Sequence, residues 1–317
     1  MNSPKHPAIH PFIAIVFGIL AVSTASIFIR FAQQEVTSLV IAAWRLTIAS
    51  LILVPVAAST HKRELKSLSR KQLSLALLSG IFLALHFATW ITSLQYTTVA
   101  SSVVLVSTIP LWVAVLSPFT LKEPIRLVVI IGLIFALVGG VIVAISDSCP
   151  IISSRLSCPS LADFMQGQAF LGDILAVCGA IAGAGYMLIG RKLRANMSLV
   201  SYISLVYGMA AIVLIVIMFS AGLKPFGYST QSYIWLILLA IIPQLIGHST
   251  FNWALGYLSA AYVSITLLGE PIGSTILAYL ILQEVPTPFK LIGGGFILVG
   301  IFIASRSEAK KTAVLPD

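Results

Sequence analysis

The stretch S-I-T-L-L-G-E-P-I-G-S-T-I-L-A-Y-L-I-L-Q-E, from Ser264 to Glu284, decides how this chain is read. It is an apolar run long enough to cross a bilayer, which takes about 20 residues. Yet Glu270 stands near its centre and Pro271 follows directly. A charged side chain at mid-membrane costs roughly 2.5–3.5 kcal/mol on insertion scales and is usually retained for a pathway, a relay or a partner. Proline removes a backbone donor and kinks a helix, so neighbouring groups must satisfy the freed carbonyl. Glu270 is the leading functional candidate; the alternative is a protonated carboxyl that only hydrogen-bonds the broken turn.

Composition sets the class. Hydrophobic residues make up 58% of the 317 and charged residues 9%, with a mean hydropathy of +1.03, whereas soluble domains carry about 25% charged residues. The chain is expected to be an all-α, polytopic membrane protein. Ten candidate spans fall at 11–31, 37–58, 72–94, 98–120, 126–146, 169–190, 198–221, 232–256, 260–282 and 288–305. The first follows Lys5 but has no small-residue cleavage site before Arg30, so it is a span and not a signal peptide.

Basic residues give an orientation. With the N-terminus cytoplasmic, fourteen of the 19 lie in inner segments, from Lys5 through the clusters at 62–71, 122–126 and 191–194 to Arg306, Lys310 and Lys311. Arg155, Lys224 and Lys290 are outer, and Arg30 and Arg45 lie within spans. This asymmetry predicts both termini inside, and an even span number agrees. The net charge of +9 is thus an orientation signal and implies no nucleic-acid face. Cys149 and Cys158, in the long connection Asp147–Gln168, would be able to pair in an oxidising exterior, with two free thiols as the alternative. Cys178 reads as packing.

An internal repeat gives the architecture. An offset of 161 positions aligns Ile131–Gly139 with Ile292–Gly300 and pairs Leu94 with Leu255, Tyr96 with Tyr257, Pro110 with Pro271 and Glu123 with Glu284. Nearer the start of each half, I-L-A-V at 19–22 recurs at 174–177, an offset of 155. Units at 1–147 and 169–317, joined by an extracytoplasmic linker at 148–168, would each hold five spans. An odd number inverts the second unit, and inverted-topology repeats are characteristic of secondary transporters with a midplane site. Gly179 and Gly183, Gly269 and Gly273, and Gly293–Gly295 read as close-packing positions.

Further polar groups lie within spans: Arg45, His86, Gln244, His248 and Asn252. Arg45 either snorkels to the interface or pairs with Glu270. His86 and His248 fall at nearly equivalent repeat positions, and His86 shares a helix face with Trp90 as His248 does with Asn252. Together they would line a cavity for a small amphipathic solute. Pro110 and Pro271 are expected helix breaks. Glu123 and Glu284 would cap the helices that follow them or form gates, and Asp173 is expected in the first turn of its helix. No metalloprotease, serine-hydrolase, phosphate-loop or potassium-filter motif occurs, and no cofactor or metal is implied.

The residues also carry a resemblance. W-R-L at 44–46, Q-Y-T-T-V-A-S at 95–101, I-P at 109–110, K-E-P at 122–124, G-Y-L-S-A-A at 256–261, G-E-P at 269–271 and Q-E at 283–284 resemble the drug/metabolite transporter superfamily, of the ten-helix EamA type. The resemblance covers roughly residues 11–305. It implies two inverted five-helix repeats, a central cavity, and export of amino acids, related metabolites or drugs. The expectation is a secondary transporter in a bacterial inner membrane, working by alternating access on a small molecule, with protons as the candidate coupling ion. A facilitative carrier or exchanger is the alternative, and an intramembrane enzyme or a channel the more distant ones.

Overall fold

A computed structural model describes residues 11–121, 127–148, 151–152, 155–156, 161–258, 260, 263 and 266–312. Glu123, Cys149 and Cys158, named above, lie outside them. The helices are α1 Pro11–Ser23, α2 Ala25–Ala32, α3 Ser38–Thr60, α4 Lys62–Ser67, α5 Arg70–Tyr96, α6 Val99–Val106, α7 Ile109–Leu121 and α8 Leu127–Ser148. After a hairpin of two-residue strands, β1 Ile151–Ile152 and β2 Arg155–Leu156, come α9 Leu161–Gln166, α10 Gln168–Arg194, α11 Leu199–Ser220 and α12 Thr230–Leu239. A π-helical segment, Ala240–His248, leads into α13 Ser249–Ala254. A second one, Ala278–Leu282, extends α14 Gly269–Leu277. The last helix is α15, Pro288–Thr312.

Among the described residues, seven helical stretches are long and apolar enough to cross a membrane: Ile13–Ala32, Ser38–Thr60, Arg70–Tyr96, Val99–Leu116, Gln168–Arg194, Leu199–Ser220 and Thr230–Ala254. Shorter apolar helices at Ile130–Val143, Gly269–Leu282 and Pro288–Gly300 occupy the other three predicted positions. Large apolar side chains such as Phe17, Leu51, Leu137, Val216 and Leu280 are exposed on the outer surface, where only lipid would match them. The chain is an integral membrane protein of all-helical class, apart from the small hairpin.

The bundle is paired in a reciprocal way. α5 packs on α10, and α1–α2 on the α12–α13 span; α3 packs on α11, and α8 on α15. On the α8–α15 seam, a Cβ added to Gly139 would stand 2.5 Å from the Gly293 carbonyl, and one on Gly300 2.5 Å from the Gly132 carbonyl. These residues run antiparallel, and 132 and 293, like 139 and 300, are one offset of 161 apart. Phe135 and Phe296, also one offset apart, stack with ring centroids 5.8 Å apart. The same register reaches the first span: Gly18 packs on Thr250 and Phe251 as Gly179 packs on Thr89 and Trp90. The partners in these two contacts are 161 positions apart, whereas the I-L-A-V stretches are 155 apart.

Two carboxylates tie loops to distant helix ends. Ser229, the N-cap of α12, accepts a hydrogen bond from the Ser232 amide. Glu35 takes the Ser229 amide at 3.0 Å and the hydroxyls of Ser229 and Ser232 at 2.7 and 2.6 Å. At the start of α11, Glu64 takes the Ser198 amide at 2.7 Å and the hydroxyls of Ser198 and Ser201 at 2.5 and 2.6 Å. Each completes an S-x-x-S cap with negative charge at a helix N-terminus, where it is favoured. The hydroxyls of Ser232 and Ser229, with the Ser229 amide, hold Glu35 below the usual carboxylate range. Partial burial pushes Glu64 up, but the Ser198 and Ser201 hydrogen bonds outweigh it and leave that carboxyl low as well.

Two further sequence expectations change. Asp173 is buried and sits six residues into α10, because the helix starts at Gln168. Cys178 is exposed on the lipid-facing side instead of packing.

Gly139→Ala should lower the thermal midpoint of the detergent-solubilised protein, since the methyl would overlap backbone that cannot yield. Gly295→Ala, with nothing within 4 Å of the added carbon, should leave it unchanged or raise it through helix propensity. The two caps predict a pH dependence. Both carboxyls titrate below their unfolded value of about 4.3, so their contribution is whole above that pH and is lost as pH falls through the folded values. Melting curves from pH 7 down to about pH 2.5 should fall less steeply below about pH 4.3 in Glu35→Gln and Glu64→Gln, from a lower starting midpoint.

Candidate functional site

The opening stretch is not one continuous helix. The Glu270 amide bonds the Leu267 carbonyl at 2.9 Å, and α14 begins at Gly269, so Glu270 and Pro271 occupy its first turn. Pro110 takes the corresponding place in α7, after a break at Ser107–Thr108 between α6 and α7. Both prolines act as helix breaks by starting a new segment, where a missing amide proton leaves no bond unmade. The half-buried Glu270 carboxylate thus stands at the N-terminus of a half-helix, a favourable place for negative charge.

The deepest charged group is Arg45, with no exposed surface. Its Nε donates to Gln244 Oε1 at 2.7 Å, and its Cζ lies 4.0 Å from the Phe87 ring centroid and 6.0 Å from that of Trp90. It does not snorkel. Nor does an ion pair join it to Glu270 among the described residues. Gln244 reaches Arg45 from the π-helical segment, where Pro243 removes an amide donor and would crowd the carbonyl four residues back. The wider turn relieves that conflict.

His86 and His248 approach each other, with ring centroids 6.4 Å apart. His86 Nδ1 bonds the Gly179 carbonyl at 2.8 Å, and its ring stacks on Trp90 at 6.0 Å. The position one offset from His248 is Phe87, and these two rings meet edge to face at 5.1 Å. The histidines are therefore neighbours, displaced by one residue from repeat equivalence. Asn252 is engaged on every side: its Oδ1 accepts from the Tyr186 hydroxyl at 2.6 Å, and its Nδ2 donates to Tyr207 Oη at 3.2 Å and the His248 carbonyl at 2.9 Å.

His86, His248, Asn252, Tyr186, Phe251 and Ile109 are among the walls of a cavity of about 30 Å³. Of the predicted path residues, three line it. Arg45 and Trp90 pack behind its wall, and Glu270 lies off it, although Ile109, one offset from Glu270, is on it. The tyrosines went unread in the sequence; Tyr186, Tyr202 and Tyr207 are buried phenols within apolar helices, a signal that was available. Glu284 forms an ion pair with Arg30 at 3.0 Å and takes the Val99 amide at 2.9 Å. The helix it caps is α6, from the other half of the chain, and not the helix that follows it.

A helical membrane protein with broken spans and a polar cluster buried between its halves is the class that this fold and site define. The family model described as EamA-like transporter matches twice, over residues 11–145 and 170–306. The chain belongs to the EamA-like transporter family. It is 23% identical to an uncharacterized transporter of Archaeoglobus fulgidus over 97% of this chain and 99% of the other. It is 25% identical to one of Clostridium kluyveri over 83% and 82%, and 22% identical to the uncharacterized transporter YyaM of Bacillus subtilis over 83% of each. A solved crystal structure with 15% identity shares the fold at a TM-score of 0.63, over 95% of this chain and 98% of its own.

Asn252→Ala would remove the 2.6 Å acceptor of the Tyr186 hydroxyl and a donor to Tyr207. A cost of about 2 kcal/mol is expected, at the scale of an unsatisfied buried group, read as a lower thermal midpoint in detergent. Asn252→Asp, which keeps the acceptor, should not restore the wild-type midpoint, since the donor to Tyr207 and His248 is gone.

Proposed function

We propose that this transporter is a secondary carrier for a small organic solute, built of ten spans in two inverted five-helix repeats and working by alternating access. The observation that carries this reading is the reciprocal seam of α8 and α15. Gly139 meets Gly293 as Gly300 meets Gly132, which is what a two-fold axis between antiparallel, offset-related helices requires. The double match of the family model supports the same division, with units at 1–147 and 169–317 and a linker at 148–168. Charge asymmetry supports cytoplasmic termini, and the bacterial inner membrane is the membrane assigned in this reading.

In this reading the ends of the bundle act as gates. Arg30, Glu284 and the Val99 amide tie α2, the end of the ninth span and α6 together on the outer side. On the inner side Arg191 donates to the Leu255 carbonyl, and Arg194 to the carbonyls of Asn252 and Met197. Export is the favoured direction. Glu270 takes up a proton or meets a cationic group of the solute, because an ionisable side chain within a span is typically kept for an ion or substrate pathway or a proton relay. His86, His248 and Asn252 line the path, and Trp90 supports it.

The test is uptake into proteoliposomes of a mixed pool of labelled amino acids and amines, with and without an imposed pH gradient. Gradient-driven accumulation should fall at least about tenfold in Glu270→Gln at equal expression, the loss of about 1.4 kcal/mol or more of coupling. Saturable uptake indifferent to both gradient and mutation would make the protein a facilitator and leave Glu270 a structural group. Product formation without translocation would point to an enzyme.

A further inference from the structure

Around Arg45 the buried donors outnumber the acceptors. Its Nη1 and Nη2 have no hydrogen-bond partner, nor does Trp90 Nε1. Arg45 and Trp90 are both at least 98% buried. An unmet buried donor is costly, and more so when it is charged, so a cluster of three on two neighbouring side chains marks a place built for an acceptor that is not part of the chain. The guanidinium is also held in a definite attitude. Gln244 Oε1 fixes Nε and Phe87 covers one face at 4.0 Å, which leaves the two Nη groups as a free fork. A planar fork of parallel donors matches the two oxygens of a carboxylate.

The charge available favours a carboxylate over a phosphate. Arg45 is the cation of this region; Arg30 is paired with Glu284, and Arg191 and Arg194 are bound to backbone carbonyls at the bundle end. With Glu270 carrying the proton that the carrier reading gives it, one cation balances a monoanion, whereas a phosphate dianion would leave charge uncompensated in a medium where that is costly. The ligand's body is defined by the partition between Arg45 and the cavity. That partition is Phe87, whose ring touches His86, Trp90 and His248 at centroid distances of 4.9, 6.3 and 5.1 Å. Rings on this side favour an apolar or aromatic body.

We propose that Arg45, with Gln244 and Trp90, forms a binding site for an organic monocarboxylate, and that the solute carried is of this class. The proposal rests on the carrier reading, because Arg45 is reached from the cavity only when Phe87 and His248 move apart as the halves rock.

The first measurement is thermal stabilisation of the purified protein in detergent by acetate, phenylacetate, 3-phenylpropionate and L-phenylalanine, each beside its amide. At about 10 mM, a ligand with a Kd near 1 mM stabilises measurably. At least one carboxylate should raise the midpoint and bind tenfold or more tightly than its amide, with phenylacetate and 3-phenylpropionate above acetate. Arg45→Gln should abolish the shift and Arg45→Lys should leave most of it missing, since an ammonium offers no fork. Amides acting as well as carboxylates, no carboxylate acting at all, or a shift retained in Arg45→Gln would each overturn the site. The comparison of acid with amide uses wild-type protein, so it stands even where the variants fail to fold. The second measurement is counterflow of the same probes in proteoliposomes. Binding without counterflow keeps the Arg45 site and sinks the carrier reading; counterflow of amides and acids alike keeps the carrier and sinks the carboxylate site.

Discussion

The burial of one guanidinium constrains the rest of this structure. Arg45 lies in the N-terminal half of α3 with no exposed surface, and a buried charge is tolerated only where hydrogen bonds and dipoles replace water. Gln244 supplies one such bond and the Phe87 face supplies a cation–π contact. Both partners come from other spans, so α3, α5 and the π-helical segment must meet at one depth. The histidine pair, the tyrosine–asparagine network and the small cavity are arranged around that meeting point.

Backbone irregularity is how the chain delivers polar groups to this depth. Regular helices bury all their own amides and carbonyls, which suits lipid but leaves only side chains to work with. Pro243 forces a wide turn that brings Gln244 and His248 inward, and Pro271 opens α14 directly after Glu270. At the ends, serine caps closed by Glu35 and Glu64 hold helix N-termini to loops of the other half of the chain. Glu270 and the two structural ties therefore share one device, a helix terminus with a carboxylate beside it.

Close packing without side chains sets the relation between the halves. On the α8–α15 seam, four glycines bring backbone within van der Waals reach of backbone. In lipid, where no hydrophobic force drives helices together, such contact area is the main source of affinity. The two-fold relation proposed for the repeats is a consequence of using the same glycine positions twice. A site on that axis need not be symmetric: Phe87 faces His248, and Ile109 stands where the second half has Glu270. The first half thus carries an apolar side chain at positions where the second half carries a polar one.

The sequence by itself determined the membrane class, the positions of the apolar helices, the offset of 161 and the family, because hydropathy, glycine spacing and proline position act locally or along one helix. It also picked out Glu270, Arg45, the two histidines and Asn252, since polar atoms in an apolar run stand out without reference to neighbours. Tertiary structure alone decided their partners. Arg45 turned to Gln244 instead of Glu270, Asn252 was consumed by tyrosines, and Glu284 capped a helix from the other half of the chain, because each choice depends on which faces two distant helices present to each other. The one-residue displacement of His248 from His86 followed the same logic: a repeat fixes backbone equivalence, but the depth and facing of a side chain are set by the helix packed against it.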